Sequence, residues 1–147
     1  MIVSVTRLRL RSVLYLPGFF RYAIPSQRSS THAQGFVDGR LIPETMLTFW
    51  TITRWQSEAD MRAWRGSGAH GRSMSKLAAW CDEASVARWE SPDDTTFPTW
   101  QDCYRRLVES GRFTPVNHPS TNQSAKQIPE PHYHNESRSM SFTRANP

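Results

Sequence analysis

Two residues of this 147-residue chain, His70 and Trp64, have side chains suited to a catalytic or ligand-binding site and lie close enough in sequence to contribute to the same site. A histidine at a helix entrance can accept a proton from a substrate or ligate a haem iron. It can equally form a hydrogen bond that caps a helix or joins two helices. Trp64 could form the wall of an aromatic or haem pocket, yet its i, i+3 spacing from Met61 also fits a core position. Catalytic and structural roles therefore both stay open for this pair.

A second group of residues has the chemistry to bind a hydrophobic substrate. Phe20, Phe49 and Trp50 could line an apolar pocket between the first helix and the sheet, or could simply fill the core. Arg54 and Arg88 lie inside strand-like segments. An arginine in an apolar cavity needs an anionic partner, so either one could hold an oxyanion or a carboxylate, or form an ion pair within the protein.

Other site chemistries are not expected. His132 and His134 stand close together, but no cysteine or carboxylate set at metal-ligand spacing completes a site, so no metal centre is predicted. The chain lacks a glycine-rich phosphate loop, paired CxxC motifs, HExxH and a nucleophile elbow. Cys81 and Cys103 lie on predicted apolar faces, and we expect both to be reduced and buried.

The net charge of +5 raises the question of an anionic partner. The arginines are spread from the first strand to the C-terminal tail, which favours a solvated basic surface over a nucleic-acid site. Arg7, Arg9 and Arg11 interrupt the apolar N-terminal stretch, so neither a signal peptide nor a membrane span is predicted. We therefore expect a cytoplasmic protein.

Helices and strands must position these residues, and the sequence predicts them in order. The first is a strand over residues 2–11, where β-branched residues alternate with polar ones. Apolar spacing over residues 12–34 predicts a helix, with a kink or break near Pro25. Residues 35–39 predict a short, weak strand ending in an Asp-Gly turn. Residues 46–55 predict a strand with large apolar groups on both faces.

The second half continues with a short helix over residues 58–65, capped by Ser57, and another helix starting near His70. Residues 85–90 predict a strand. A further helix, capped by Thr99, ends at Gly111. Residues 1–118 thus form one domain, and residues 119–147 are too polar to fold alone, so they predict a disordered or partner-ordered tail.

This order of elements predicts an α+β fold of the ferredoxin-like type, β-α-β-β-α-β, with helices on one face of an antiparallel sheet. The extra C-terminal helix and polar tail follow it. Large apolar groups on both faces of residues 46–55 require a cover for the second face. We expect a second copy of the chain to provide it, which would make a homodimer.

Three features resemble the antibiotic-biosynthesis-monooxygenase-like superfamily of dimeric α+β barrels: Gly35-Phe36, the strand end Thr53-Arg54-Trp55, and Trp64-x-x-Ser67-x-Ala69. Gly68-Ala69-His70 and Trp80-Cys81-Asp82-Glu83 narrow the resemblance to small bacterial proteins related to spheroidene monooxygenase. The resemblance covers about residues 1–90. It implies a shared barrel and leaves the cofactor open, since members of the superfamily work either with haem or without a cofactor.

Within the haem-degrading branch, the resemblance implies a Trp at the place of Trp64 and a haem-ligating His at the place of Met74. The missing His, and the lack of Asn on the first strand, argue against that route. We predict a monooxygenase-like protein that binds a hydrophobic aromatic or polyene molecule, with His70 as base or ligand. The alternative is a non-catalytic binding or assembly subunit whose tail docks on a protein partner.

Overall fold

A six-stranded antiparallel sheet is the centre of the structure, a computed structural model that describes residues 1–92 and 95–147. The strands follow the order β5-β4-β1-β3-β2-β6 across the sheet. Their bounds are β1 Ile2–Leu10, β2 Phe36–Pro43, β3 Thr48–Trp55, β4 Cys81–Glu90, β5 Arg112–Phe113 and β6 Met140–Thr143. The four central strands have the ferredoxin-like arrangement, so the predicted fold class is confirmed.

Five α-helices pack around this sheet in the described part of the chain. Their bounds are α1 Leu16–Thr31, α2 Glu58–Arg65, α3 Gly68–Trp80, α4 Trp100–Ser110 and α5 Thr121–Ser124. The predicted caps are confirmed: Ser57 and Thr99 accept hydrogen bonds from the backbone N–H groups three residues later. The backbone N–H of Gly111 bonds to the Leu107 carbonyl and closes α4.

Two local predictions were wrong for physical reasons. The break near Pro25 does not occur, because Pro25 lies on the exposed side of α1 while Phe19 and Ser26 anchor the buried side before and after it. The Asp-Gly turn at Gly39 is instead part of a longer β2. A Cβ there would meet the ring of Phe142 at 2.5 Å, so this glycine permits a close approach of β6 rather than a turn.

The second face of the sheet has a cover from the same chain. Trp50 is fully buried, and its ring meets the ring of Trp100 on α4 edge-to-face, at 5.9 Å between centroids. Val5, Ile52 and Leu107 belong to the same cluster. The argument for a dimer assumed that this face lacks a cover, and it loses its basis because α4 covers Trp50.

The C-terminal segment, residues 119–147, also packs on the domain, in contrast to the predicted disordered or partner-ordered tail. Gln123 is buried, and its side-chain amide bonds to the backbone of Ala84 and to the Thr114 carbonyl. Strand β6 extends the sheet beside β2. Polar composition was a misleading signal here, because the segment gains order from hydrogen bonds to the domain rather than from a core of its own.

Two further properties concern the whole described chain. Cys81 and Cys103 are free and buried, as predicted. No helix in the described ranges has both the length and the apolar character needed to cross a membrane.

Candidate functional site

A cavity of about 190 Å³ lies between the sheet and the layer formed by α1, α2 and α3. Its floor consists of short side chains at the middle of two neighbouring strands. In the strand register, Ser4 of β1 faces Thr53 of β3, and Thr6 faces Thr51. Because these side chains are short, the helices cannot fill the space above them.

The walls of the cavity are mainly apolar. Phe19 of α1, Leu77 of α3 and Leu41 of β2 contribute aliphatic and aromatic surface. The C-terminal strand adds Phe142, whose ring stacks on Phe36 with centroids 5.8 Å apart. A mainly apolar cavity with a few convergent polar groups is typical of a small-molecule site.

His70 is the central polar group of the cavity. It belongs to the first turn of α3, and its Nδ1 lies 2.8 Å from the Oγ of Ser26 on α1. This hydrogen bond joins two helices, so the structural role considered from the sequence is present. Both residues line the cavity, so the same pair also faces any bound molecule.

Trp64 holds the imidazole from one side. The two rings stack with centroids 4.1 Å apart, and the indole Nε1 donates to Ser29 Oγ at 2.9 Å. Trp64 also packs against Trp55 at 5.3 Å between centroids. Its position is therefore fixed by core contacts, while it also lines the cavity.

The surroundings of His70 keep it uncharged. Burial, assisted by the positive charge of Arg65, lowers the pKa of His70 from 6.5 to about 4. A neutral imidazole has one nitrogen that donates and one that accepts a hydrogen bond. Because the pKa lies well below neutrality, His70 is a weak general base in these surroundings.

Two arginines line the cavity without an ion pair among the described residues. These are Arg65, from the last turn of α2, and Arg88, from β4. The Nε of Arg88 is buried and has no hydrogen-bond partner. Burial and the nearby charge of Arg65 lower the pKa of Arg88. This end of the cavity therefore favours an anionic group.

The other predicted substrate-binding residues lie outside the cavity. Phe20 and Phe49 contact each other at 5.6 Å between centroids, next to the cavity wall, whereas their neighbour Phe19 lines it. Trp50 and Arg54 point to the opposite face of the sheet. There Trp50 donates to Glu44, and Arg54 forms a bidentate ion pair with Asp38 at 2.6 and 2.7 Å.

The sequence analysis missed Ser26, Arg65 and the row of short hydroxyl side chains on the floor. The signal for the floor was present, since Ser4, Thr6, Thr51 and Thr53 all occur at helix-facing positions between bulky residues. The pairing of Ser26 with His70 had no such signal, because the two are 44 positions apart. No group of three or more His, Cys, Asp or Glu suited to a metal ion occurs among residues 1–92 and 95–147.

Comparison with known proteins gives information on the fold. The sequence matches no protein-family model, and none of the curated proteins is significantly similar to it. A mutant of SnoaB, a cofactor-independent oxygenase from Streptomyces nogalater, is similar in structure, with a TM-score of 0.51 and 14% identity over 67% of this chain and 97% of that chain. The NE2512 protein of unknown function from Nitrosomonas europaea gives a TM-score of 0.52 and 16% identity, over 67% and 94%.

The chain shares its fold with these two proteins, in agreement with the fold that the resemblance to the antibiotic-biosynthesis-monooxygenase-like superfamily implied. At these identities the similarity concerns the fold, and it leaves about a third of this chain without a counterpart in either structure. The narrower resemblance to proteins related to spheroidene monooxygenase stays a prediction. Function has to be argued from the cavity itself.

Proposed function

We propose that the protein is a monooxygenase-like enzyme that binds a small, mainly apolar aromatic molecule in the cavity between α1–α3 and the sheet. The observation that carries this proposal is the position of His70, a neutral imidazole held by Ser26 and Trp64 within a mainly apolar cavity. Trp64 provides a flat wall for stacking. Arg65 and Arg88 provide positive charge for an oxygen atom of the ligand.

The size of the cavity limits the choice of ligand. Drug-sized ligands occupy sites of roughly 300–1,000 Å³, whereas this cavity measures about 190 Å³. A molecule of two or three fused rings suits it better than a long polyene. A porphyrin is larger than a molecule of two or three fused rings, so this cavity does not fit haem. The proposed chemistry therefore does not use haem.

The proposed reaction uses dioxygen as oxidant and the substrate as the source of electrons. A CH2 group made acidic by a neighbouring aromatic ketone loses a proton, and the ketone becomes an oxyanion. The charges of Arg65 and Arg88 stabilise that oxyanion. Burial, and secondly Arg65, lower the pKa of His70, and the negative charge of a neighbouring oxyanion raises it again, so that His70 can accept the proton. Dioxygen then oxidises the carbon: CH2 and O2 become C=O and H2O.

Anthrone, a tricyclic aromatic ketone with one such CH2 group, is a suitable probe. We expect saturable quenching of tryptophan fluorescence, because Trp55 and Trp64 line the cavity, and oxygen uptake with formation of the quinone. Leu77→Trp fills the cavity and should abolish both signals. Val108→Trp, at an exposed position of α4, is the matched control and should change neither.

Anthrone binding without oxygen uptake would support the non-catalytic alternative as a small-molecule carrier. The other form of that alternative, an assembly subunit with a docking tail, has lost its main support. The tail packs on its own domain through Gln123 and β6. If Leu77→Trp binds anthrone as the parent does, the cavity is not the binding site and the proposal fails.

A further inference from the structure

The positive charge of this protein is concentrated in its helix layer. Residues 12–37 and 57–81, which include α1, α2 and α3, contain six of the 18 basic residues and two of the 13 acidic ones, Glu58 and Asp60. The rest of the chain therefore has twelve basic and eleven acidic residues and is close to neutral. Four of the five net positive charges thus belong to the helix layer on one side of the sheet.

Four of these six cations are exposed and have no ion pair among the described residues. They are Arg21 and Arg28 on α1, and Arg72 and Lys76 on α3. Arg62 pairs with Glu58, and Arg65 faces the cavity. Because α1 and α3 pack side by side over the sheet, the four cations share the outer surface of one layer.

Exposed apolar side chains stand on the same surface. Phe20 and Ile24 are 36% and 48% exposed, and their spacing of four residues places them on one face of α1 with Arg28. Val13 and Leu14, in the turn just before α1, are 52% and 83% exposed. We call these four apolar residues and the four cations the outer helix surface.

We propose that the outer helix surface binds the surface of a membrane containing anionic phospholipids. Phe20, Ile24 and Leu14 enter the boundary between headgroups and acyl chains, and the four cations pair with the phosphates. The protein thereby lies on a bilayer without spanning it. The cavity lies directly beneath α1 and α3, so the docked protein faces the bilayer with the layer that covers its binding site.

The mixture of side chains favours a lipid surface over nucleic acid. Single-stranded nucleic acid is bound by aromatic rings on which bases stack, and duplexes by cations with polar side chains. Here the exposed apolar residues are mainly aliphatic, and aliphatic side chains gain free energy by entering hydrocarbon. No acidic residue of α1 or α3 repels phosphate.

The test measures co-sedimentation of the full chain with vesicles of phosphatidylcholine alone, or of equal parts phosphatidylcholine and phosphatidylglycerol. We expect binding to the anionic vesicles that weakens as salt is added. Arg72→Gln with Lys76→Gln should weaken it by about tenfold, and Ile24→Asn by a similar factor. Arg105→Gln with Arg106→Gln and Val108→Asn make the same changes on α4, beyond the opposite face of the sheet, and should leave binding unchanged.

The proposal is overturned if the parent fails to bind anionic vesicles, or if the α4 variants weaken binding as much as those of the outer helix surface. It is also overturned if the protein binds duplex DNA or RNA more tightly than vesicles, in a way that Ile24→Asn does not change. All the changed positions are exposed, so circular dichroism should confirm the fold of each variant. The anthrone signal of the parent does not enter this test, so the two proposals can fail separately.

Discussion

Acid should destabilise this protein through His70 before it protonates most carboxylates. In the folded chain the pKa of His70 is about 4, against 6.5 when exposed, so the unfolded chain binds an extra proton between these values. Stability contributed by the neutral, buried imidazole is complete above pH 6.5 and is lost as the pH falls toward 4. At about 1.4 kcal/mol per pH unit, the loss is roughly 2 kcal/mol at pH 5 and about 3 kcal/mol near pH 4.

The comparison that isolates this effect is His70→Gln, measured by urea unfolding between pH 7 and pH 4.5 with tryptophan fluorescence. At pH 7 the variant should be less stable by about 1 kcal/mol, because it loses the contact with Ser26 and the stacking on Trp64. Near pH 5 the order should reverse. Carboxylates such as Glu83 titrate in both proteins and cancel in the difference.

The matched control is His118→Gln, which makes the same substitution at an exposed histidine outside the cavity. A constant difference between the parent and His70→Gln from pH 7 to pH 4.5 would refute the reasoning. It would mean that His70 takes up its proton in the folded state as readily as in the unfolded one. The proposed role of a neutral imidazole would then fall as well.

Three other predictions concern the parts of the chain that differ from the sequence expectations. Trp100→Ala should lower the free energy of unfolding by about 3–5 kcal/mol in urea, because its ring covers Trp50. Since α4 already covers this face of the sheet, sedimentation of the unmodified chain should show no dimer formed through it. Removal of residues 119–147 should lower the melting temperature by several degrees, because buried hydrogen bonds of Gln123 are lost; an unchanged melting temperature would show that the segment is dispensable. Gly39→Ala should displace the ring of Phe142 and expose backbone amides of β2 to hydrogen exchange. Gly66→Ala should not, because its added Cβ would make only an ordinary contact, at 3.8 Å, with the Arg62 carbonyl oxygen.

Local patterns predicted much of the fold. Caps at Ser57 and Thr99 and the alternation along residues 2–11 depend on neighbours in sequence, so they were readable from the chain alone. The cover of the second sheet face was not. A strand with large groups on both sides indicates only that something covers each side, and it says nothing of whether α4 or a second copy does so.

The central residues of the candidate site were predictable from the sequence, whereas most of the other residues that line the cavity were not. His70 and Trp64 lie on one short stretch of chain, so their proximity follows from the helix break at Gly66 and Gly68. The side of the sheet that forms the cavity depends on which strand residues are short. Large aromatic residues such as Trp50 were predicted to line the pocket. Large buried residues instead fill the space themselves and thereby exclude a ligand.

The distribution of charge was also misjudged from the sequence, because ion pairs form between residues that are distant along the chain. Counting arginines along the sequence shows them everywhere, but most of those on the strands have carboxylate partners: Arg7 pairs with Glu83, Arg54 with Asp38 and Arg40 with Glu136. What remains after pairing is the charge that a partner or ligand meets. Among the described residues, four cations without an ion pair lie on the outer surface of the helix layer, and Arg65 and Arg88 lie in the cavity. An oxyanion in the cavity and an anionic bilayer would therefore be attracted to opposite sides of the helix layer, because α1 and α3 contain no acidic residue and α2 contains only Glu58 and Asp60.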